Sequence, residues 1–157
     1  MPPHTAPGRL TALVVGAALA VALVGCRALA GTPPPPTPAD FAGVVSFLSA
    51  AGIGVAGVRT GDTGCADPKL VGPAISLQAS GVDQVAPVPI HLYLFKNQAS
   101  YQKLRSNVDA CAASYITDPA TYEVVESTPF VAVGQGPWAS GFTAALRSAL
   151  DRAAGAH

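Results

Sequence analysis

An uncharged apolar run from Leu10 to Val24, followed closely by four consecutive prolines, Pro33 to Pro36, removes the first part of this chain from any globular core. Thr11 is the only polar side chain in the run, and Arg9 is the only formal charge before it. An apolar stretch of about 15 residues is short for a membrane-spanning helix, which needs about 20, and it suits the hydrophobic region of a secretory signal. The prolines favour an extended polyproline II path of about 3.1 Å per residue. The folding unit is therefore expected to start near Thr37. Segment 1–25 reads as a signal peptide, 26–36 as a tether, 37–154 as one domain and 155–157 as a frayed tail. The tether reaches at most roughly 35–40 Å.

The run closes on Leu23-Val24-Gly25-Cys26. This quartet resembles the lipobox of bacterial lipoprotein signal peptides. The resemblance implies that Cys26 is the lipidation site and the mature N-terminus. It also implies a chain anchored outside the cytoplasm to the bacterial cell membrane, since two or more acyl chains hold stably where one does not. Two other readings stay open: ordinary cleavage after Ala28-Leu29-Ala30, and an uncleaved signal anchor. The apolar run ends at Gly25-Cys26, which favours lipidation. The absence of an Arg-Arg pair favours the general secretory route.

Once Cys26 is assigned to lipid, Cys65 and Cys111 are left from the three cysteines. An oxidising compartment favours a disulfide between them, closing a loop of about 47 residues and contributing about 4 kcal/mol by the chain-entropy model. Two separate buried thiols are the alternative. No Cys-x-x-Cys is present and His4, His91 and His157 lie far apart, so no metal site and no cofactor are expected. Nine basic residues balance nine acidic ones without clustering, which argues against nucleic acid as a partner.

The remaining residues, about 130, suffice for one core. Thr37 is expected to cap a first helix, with Pro38 at its first position and Asp40 in its first turn. Phe41, Val44, Val45 and Leu48 form its apolar stripe, and Gly52 its stop. Ile53 to Val58 reads as a Gly-rich strand. In Ala74 to Ala79, Ile75, Leu77 and Ala79 alternate with Ser76 and Gln78. Gly81 to Pro87 reads as a loop, and Val88 to Phe95 as the clearest strand. A second helix, capped near Asn97 or Ser100, carries the seam Tyr101, Leu104, Val108, Cys111 and Tyr115. Thr121 to Glu126 and Phe130 to Val133 read as two strands. A last helix opening at Gly136-Pro137 aligns Trp138, Phe142, Ala145, Leu146 and Ala149, with Arg147 and Asp151 as an i, i+4 pair.

This order predicts an α+β fold: a two-layer sandwich with an antiparallel-rich sheet of about four or five strands and about three helices mainly on one face. The layout resembles small bacterial lipoproteins of uncharacterised activity. It does so in Phe47-Leu48-Ser49-Ala50-Ala51-Gly52, Leu92-Tyr93-Leu94-Phe95 and Pro129-Phe130-Val131-Ala132-Val133-Gly134. That resemblance implies no activity.

Hydrolase signatures are missing: there is no Gly-x-Ser-x-Gly and no His-Glu-x-x-His. A Ser-His-Asp arrangement would have to use His91, which sits within a strand. Asp62-Thr63-Gly64 matches the aspartic-protease triplet over three residues. It occurs once, however, and Gly, Asp and Thr are ordinary turn residues. Gly134 to Pro137 reads as a turn opening a helix. The expected interaction surface is the sheet face of His91, Tyr93 and Phe95, with Val125 beside it, provided that no further helix covers that side. The function expected is a membrane-anchored, non-enzymatic binding module. Its partners would be the membrane, through the lipid, and an envelope protein or small ligand. A small secreted enzyme with an unrecognised site is the alternative.

Overall fold

The structure, a computed structural model, describes residues 39–155. The expected signal segment, Cys26, the expected tether, Thr37, Pro38 and the last two residues lie outside the described residues. The order is α1 (Phe41–Ala50), β1 (Ile53–Thr60), α2 (Pro68–Val71), β2 (Ala74–Gly81), β3 (Gln84–Leu94), α3 (Gln98–Ala112), β4 (Tyr122–Ser127), β5 (Phe130–Gln135) and α4 (Ser140–Ala154). The five strands form one sheet in the order β1-β2-β3-β5-β4, every neighbour antiparallel. The fold is α+β, as the alternation of two-period and helical segments predicts. β3 and β4 run the same way with β5 between them, so α3 links two strands across a third.

Strand register decides which side chains share a face. Ile75 pairs with Leu92 and Leu77 with Ile90, which places these four on one side. Val44 and Leu48 of α1 and Phe142, Leu146, Ala149 and Leu150 of α4 close over them as the main core. On the other side Ala74 pairs with Tyr93, and Tyr93 with Val131. Leu70 of α2 and Val108 and Cys111 of α3 cover these as a second core. Two long helices thus lie on one face, and the third lies over β3, β5 and β4 on the other. The outer part of that second face keeps Ser76 half-buried and Gln78 exposed.

Local signals explain most of the element ends, with several corrections. Asp40 is the cap of α1, its Oδ1 accepting from Gly43 N at 2.8 Å, rather than an acid in the first turn. Asn97 caps α3 as expected, accepting from Ser100 N at 2.9 Å. The seam of α3 outlasts its helix, because Tyr115 falls in the turn after Ala112. Gly81 to Pro87 is no long loop. β2 turns at once into β3, which begins at Gln84. Pro87 and Pro89 are tolerated because β5 pairs with β3 only over His91–Leu94, leaving the proline-bearing half without a ladder on that side. The chain entering β1 approaches so closely that a Cβ on Gly81 would lie 2.3 Å from Gly52 O, and the φ of +113° at Gly81 also favours glycine.

α4 starts at Ser140, so Trp138 precedes it, although its indole stays buried and meets Phe142 edge to face at 5.9 Å. Ala139, at the cap position, has no side chain to offer. Asp83 from the β2–β3 turn fills that role, accepting from Gly141 N at 2.9 Å and Phe142 N at 2.6 Å. Its charge faces the positive end of the helix. Arg147 does not pair with Asp151; it donates to Glu126 O at 3.2 Å. The first and last described segments meet, Ala39 N donating to Ala153 O at 2.7 Å.

Candidate functional site

The loop between β1 and α2 organises everything polar on the second face. Asp62 Oδ1 accepts from Gly64 N at 3.1 Å, the local turn that Asp-x-Gly favours. Thr63, buried at 3 % exposure, accepts at Oγ1 from Cys65 N at 3.2 Å and donates back to Cys65 O. Asp67 caps α2 through Lys69 N at 2.9 Å and accepts from Asn107 Nδ2 of α3 at 2.7 Å. Cys65 and Cys111 form a disulfide, their Cα atoms 5.4 Å apart, and clamp the loop to α3. Asp62-Thr63-Gly64 is thus a turn held on both sides.

This clamp corrects the expected interaction surface. Tyr93 is 0 % exposed and Phe95 2 % exposed. Tyr93 donates its hydroxyl to Thr63 O at 2.9 Å, so both the ring and its polar tip belong to the second core. Burial pushes Tyr93 up to about 12. Val125 belongs to the opposite core beside Ala132. Of the three residues only His91 is half-exposed, because it lies nearest the edge that α3 leaves uncovered.

At this edge is a notch of about 270 Å³ lined by Gly57, Arg59, Asp62, Ser76, Gln78 and His91, with Leu77 and Pro89. Arg59 pairs with Ser76 across β1 and β2, and Ser76 with His91 across β2 and β3. The three side chains therefore form a row across the sheet. Asp62 overhangs it. Ser76 Oγ donates to Asp62 Oδ2 at 2.7 Å, and His91 Nδ1 lies 3.3 Å from Asp62 O. A carbonyl only accepts, so this contact assigns the proton to Nδ1 and leaves Nε2 an acceptor in the neutral ring. The ring leans on Tyr115, centroids 4.5 Å apart. Gly64 makes room for this stack: a Cβ there would lie 2.7 Å from Tyr115 and 2.9 Å from His91 Cε1. The Ser76 hydroxyl and the Gly64 N–H, with Arg59 adding charge attraction, hold Asp62 below the ordinary carboxylate range.

Ser76, His91 and Asp62 are the residue types of a hydrolase triad, but their wiring differs. A nucleophilic serine needs its proton on an imidazole nitrogen, with a carboxylate behind the ring. Here the serine proton goes to the carboxylate and the ring faces a backbone carbonyl. The notch offers bonding groups rather than an activated oxygen. A separate ionic cluster joins α3 to β4. Arg105 Nε donates to Glu126 Oε1 at 2.7 Å, Tyr101 to Oε2 at 2.6 Å, and Tyr122 to Asp109 at 2.8 Å. Arg105 Nη1 also lies 2.6 Å from Asp109 Oδ1, which ties the two pairs into one cluster. Among the described residues no three His, Cys, Asp or Glu gather as metal ligands. None of the described helices is long and apolar enough to cross a membrane.

Sequence reasoning named His91 and missed Arg59, Ser76 and Gln78 as its neighbours. Alternation already put Ser76 and Gln78 together on one side of β2. The pairing register that sets them beside His91 and Arg59 has no local signal. Comparison of the chain with family models, with curated proteins and with solved structures finds no match.

Proposed function

We propose that this chain is a lipid-anchored extracytoplasmic lipoprotein of the bacterial cell envelope, acting as a non-enzymatic binding module for a small ligand or an envelope protein. The observation that carries the reading is Leu23-Val24-Gly25-Cys26 at the end of an uncharged apolar run. The Cys65–Cys111 disulfide supports it, since such bridges persist in oxidising compartments. The short proline-rich segment after Cys26 would hold the domain near the bilayer. Intact mass of the native product from a membrane fraction tests the anchor. A thioether-linked diacylglycerol on Cys26 at the new N-terminus is expected, and Cys26→Ser should release the chain from membranes. An unmodified, freely soluble product would refute the anchor.

The gathering of Ser76, His91 and Asp62 favours one other reading, a small secreted hydrolase. It requires Ser76 to turn from Asp62 to His91. Turnover of an activated ester that is lost on Ser76→Ala would establish it and end the non-enzymatic reading. Hydrolysis no faster than buffer is expected.

A further inference from the structure

We infer that the notch between β1, β2 and the Asp62 loop is a binding site for a small zwitterion of the α-amino-acid class, its carboxylate on Arg59 and its ammonium on Asp62, Ser76 and His91. This rests on the binding-module reading but is independent of the lipid anchor.

Three observations carry it. First, the notch brings a cation and a set of acceptors together. Arg59, on the edge strand, is exposed, and its guanidinium has no hydrogen bond or ion pair among the described residues. Beside it in the row stand acceptors: both Asp62 oxygens, the lone pairs of Ser76 Oγ, whose proton is already given to Asp62, and His91 Nε2. A guanidinium fork matches a carboxylate through two parallel bonds, and a cluster of acceptors matches an ammonium, which only donates.

Second, the two charges oppose each other. A lone anion on Arg59 would sit near the Asp62 carboxylate, and a lone cation on Asp62 would sit near the guanidinium. A ligand with both charges meets an opposite partner at each end, so complementarity selects against either half alone. Third, the volume is small. At about 270 Å³ the notch falls below the range of about 300–1,000 Å³ typical of drug-sized ligands. The loop that supplies Asp62 is fixed by the disulfide and by Tyr93, so its acceptors are in place before a ligand arrives.

The test is a titration of the full-length chain, kept in detergent where it carries lipid, followed by amide chemical shifts at constant ionic strength. The probes are L-alanine, sodium acetate, methylammonium chloride and methyl α-glucoside. L-alanine should give saturable shifts centred on Gly57, Arg59, Asp62, Ser76, Gln78 and His91, with a Kd on the order of millimolar. Acetate, methylammonium and the uncharged glucoside should each bind at least about tenfold more weakly. Arg59→Ala should weaken L-alanine binding by about tenfold or more without moving the melting temperature, because Arg59 is exposed. Asp62→Asn keeps an acceptor for Ser76 and should weaken binding likewise.

No saturable shift at about 50 mM L-alanine, far above a millimolar Kd, would overturn the inference. So would equal binding of any single-charge or uncharged probe, or undiminished binding by Arg59→Ala. The mass of Cys26 is read separately, so failure here and failure of the anchor are distinct results.

Discussion

Tyr93 and His91 are two positions apart on β3 and share a face, yet one is sealed and the other half-open. The difference is the reach of α3 and the Asp62 loop, which cover the first and stop at the second. Tyr93→Phe keeps the ring and strands the buried Thr63 carbonyl, so it should cost about 1–3 kcal/mol in a urea unfolding curve. Tyr93→Ala also opens a cavity and should cost about 3–5 kcal/mol, the opposite of what an exposed partner-contact residue would show. Face parity along β3 was legible, since alternation puts His91, Tyr93 and Phe95 together. Coverage was not. The seam Leu104, Val108, Cys111 is readable as apolar, but its sequence holds no instruction as to which sheet face it meets.

At the scale of elements, what local chemistry signals the chain obeys, and what needs a distant partner it hides. Asn97 and Gly52 end their elements as turn and cap rules require. α2 went unread because four residues are too few to show a period. The start of α4 was unreadable in another way, since its cap is Asp83, far back in the sequence. Asp83→Ala should lower the melting temperature, whereas Ser140→Ala should leave it nearly unchanged; differential scanning calorimetry of the two variants decides it. The Cys65–Cys111 bridge spans a sequence separation of 46 and stabilises the fold by at most about 4 kcal/mol in the chain-entropy model. Reduction, or Cys65→Ser with Cys111→Ser, should lower the urea midpoint. It should also speed hydrogen exchange of the Gly64 and Lys69 amides more than of those in β5.

For the whole molecule, titration sets two limits on stability. Asp62 is held below its usual 3.8 mainly by the Ser76 hydroxyl, and Glu126 below its usual 4.5 mainly by the Arg105 guanidinium. A carboxyl depressed in the folded state contributes stability above its unfolded value and loses it as pH falls through the folded one. Unfolding free energy should therefore decline below about pH 4.5, and Glu126→Gln should flatten that acid limb. Tyr93 moves the other way, from 10.0 to about 12, because burial penalises its phenolate. Its contribution is complete below pH 10 and is lost as pH rises toward 12, so stability should fall across that window. Tyr93→Phe should shallow the alkaline fall, as measured by denaturant midpoints across pH. The architecture was legible as an α+β sheet protein because period-2 and period-3.6 segments alternate cleanly. The split of helices between two faces was not, since it follows from strand order.

The hydrogen bond from Ala39 to Ala153 carries a consequence for biosynthesis. Its two halves lie 114 residues apart in the chain (153 − 39), and α1 rests on α4, the last of the described helices. A nascent polypeptide still missing the fifteen residues of α4 leaves the part of the sheet that α4 covers open to solvent. The main core thus closes only once Ser140–Ala154 has emerged and folded back over the sheet.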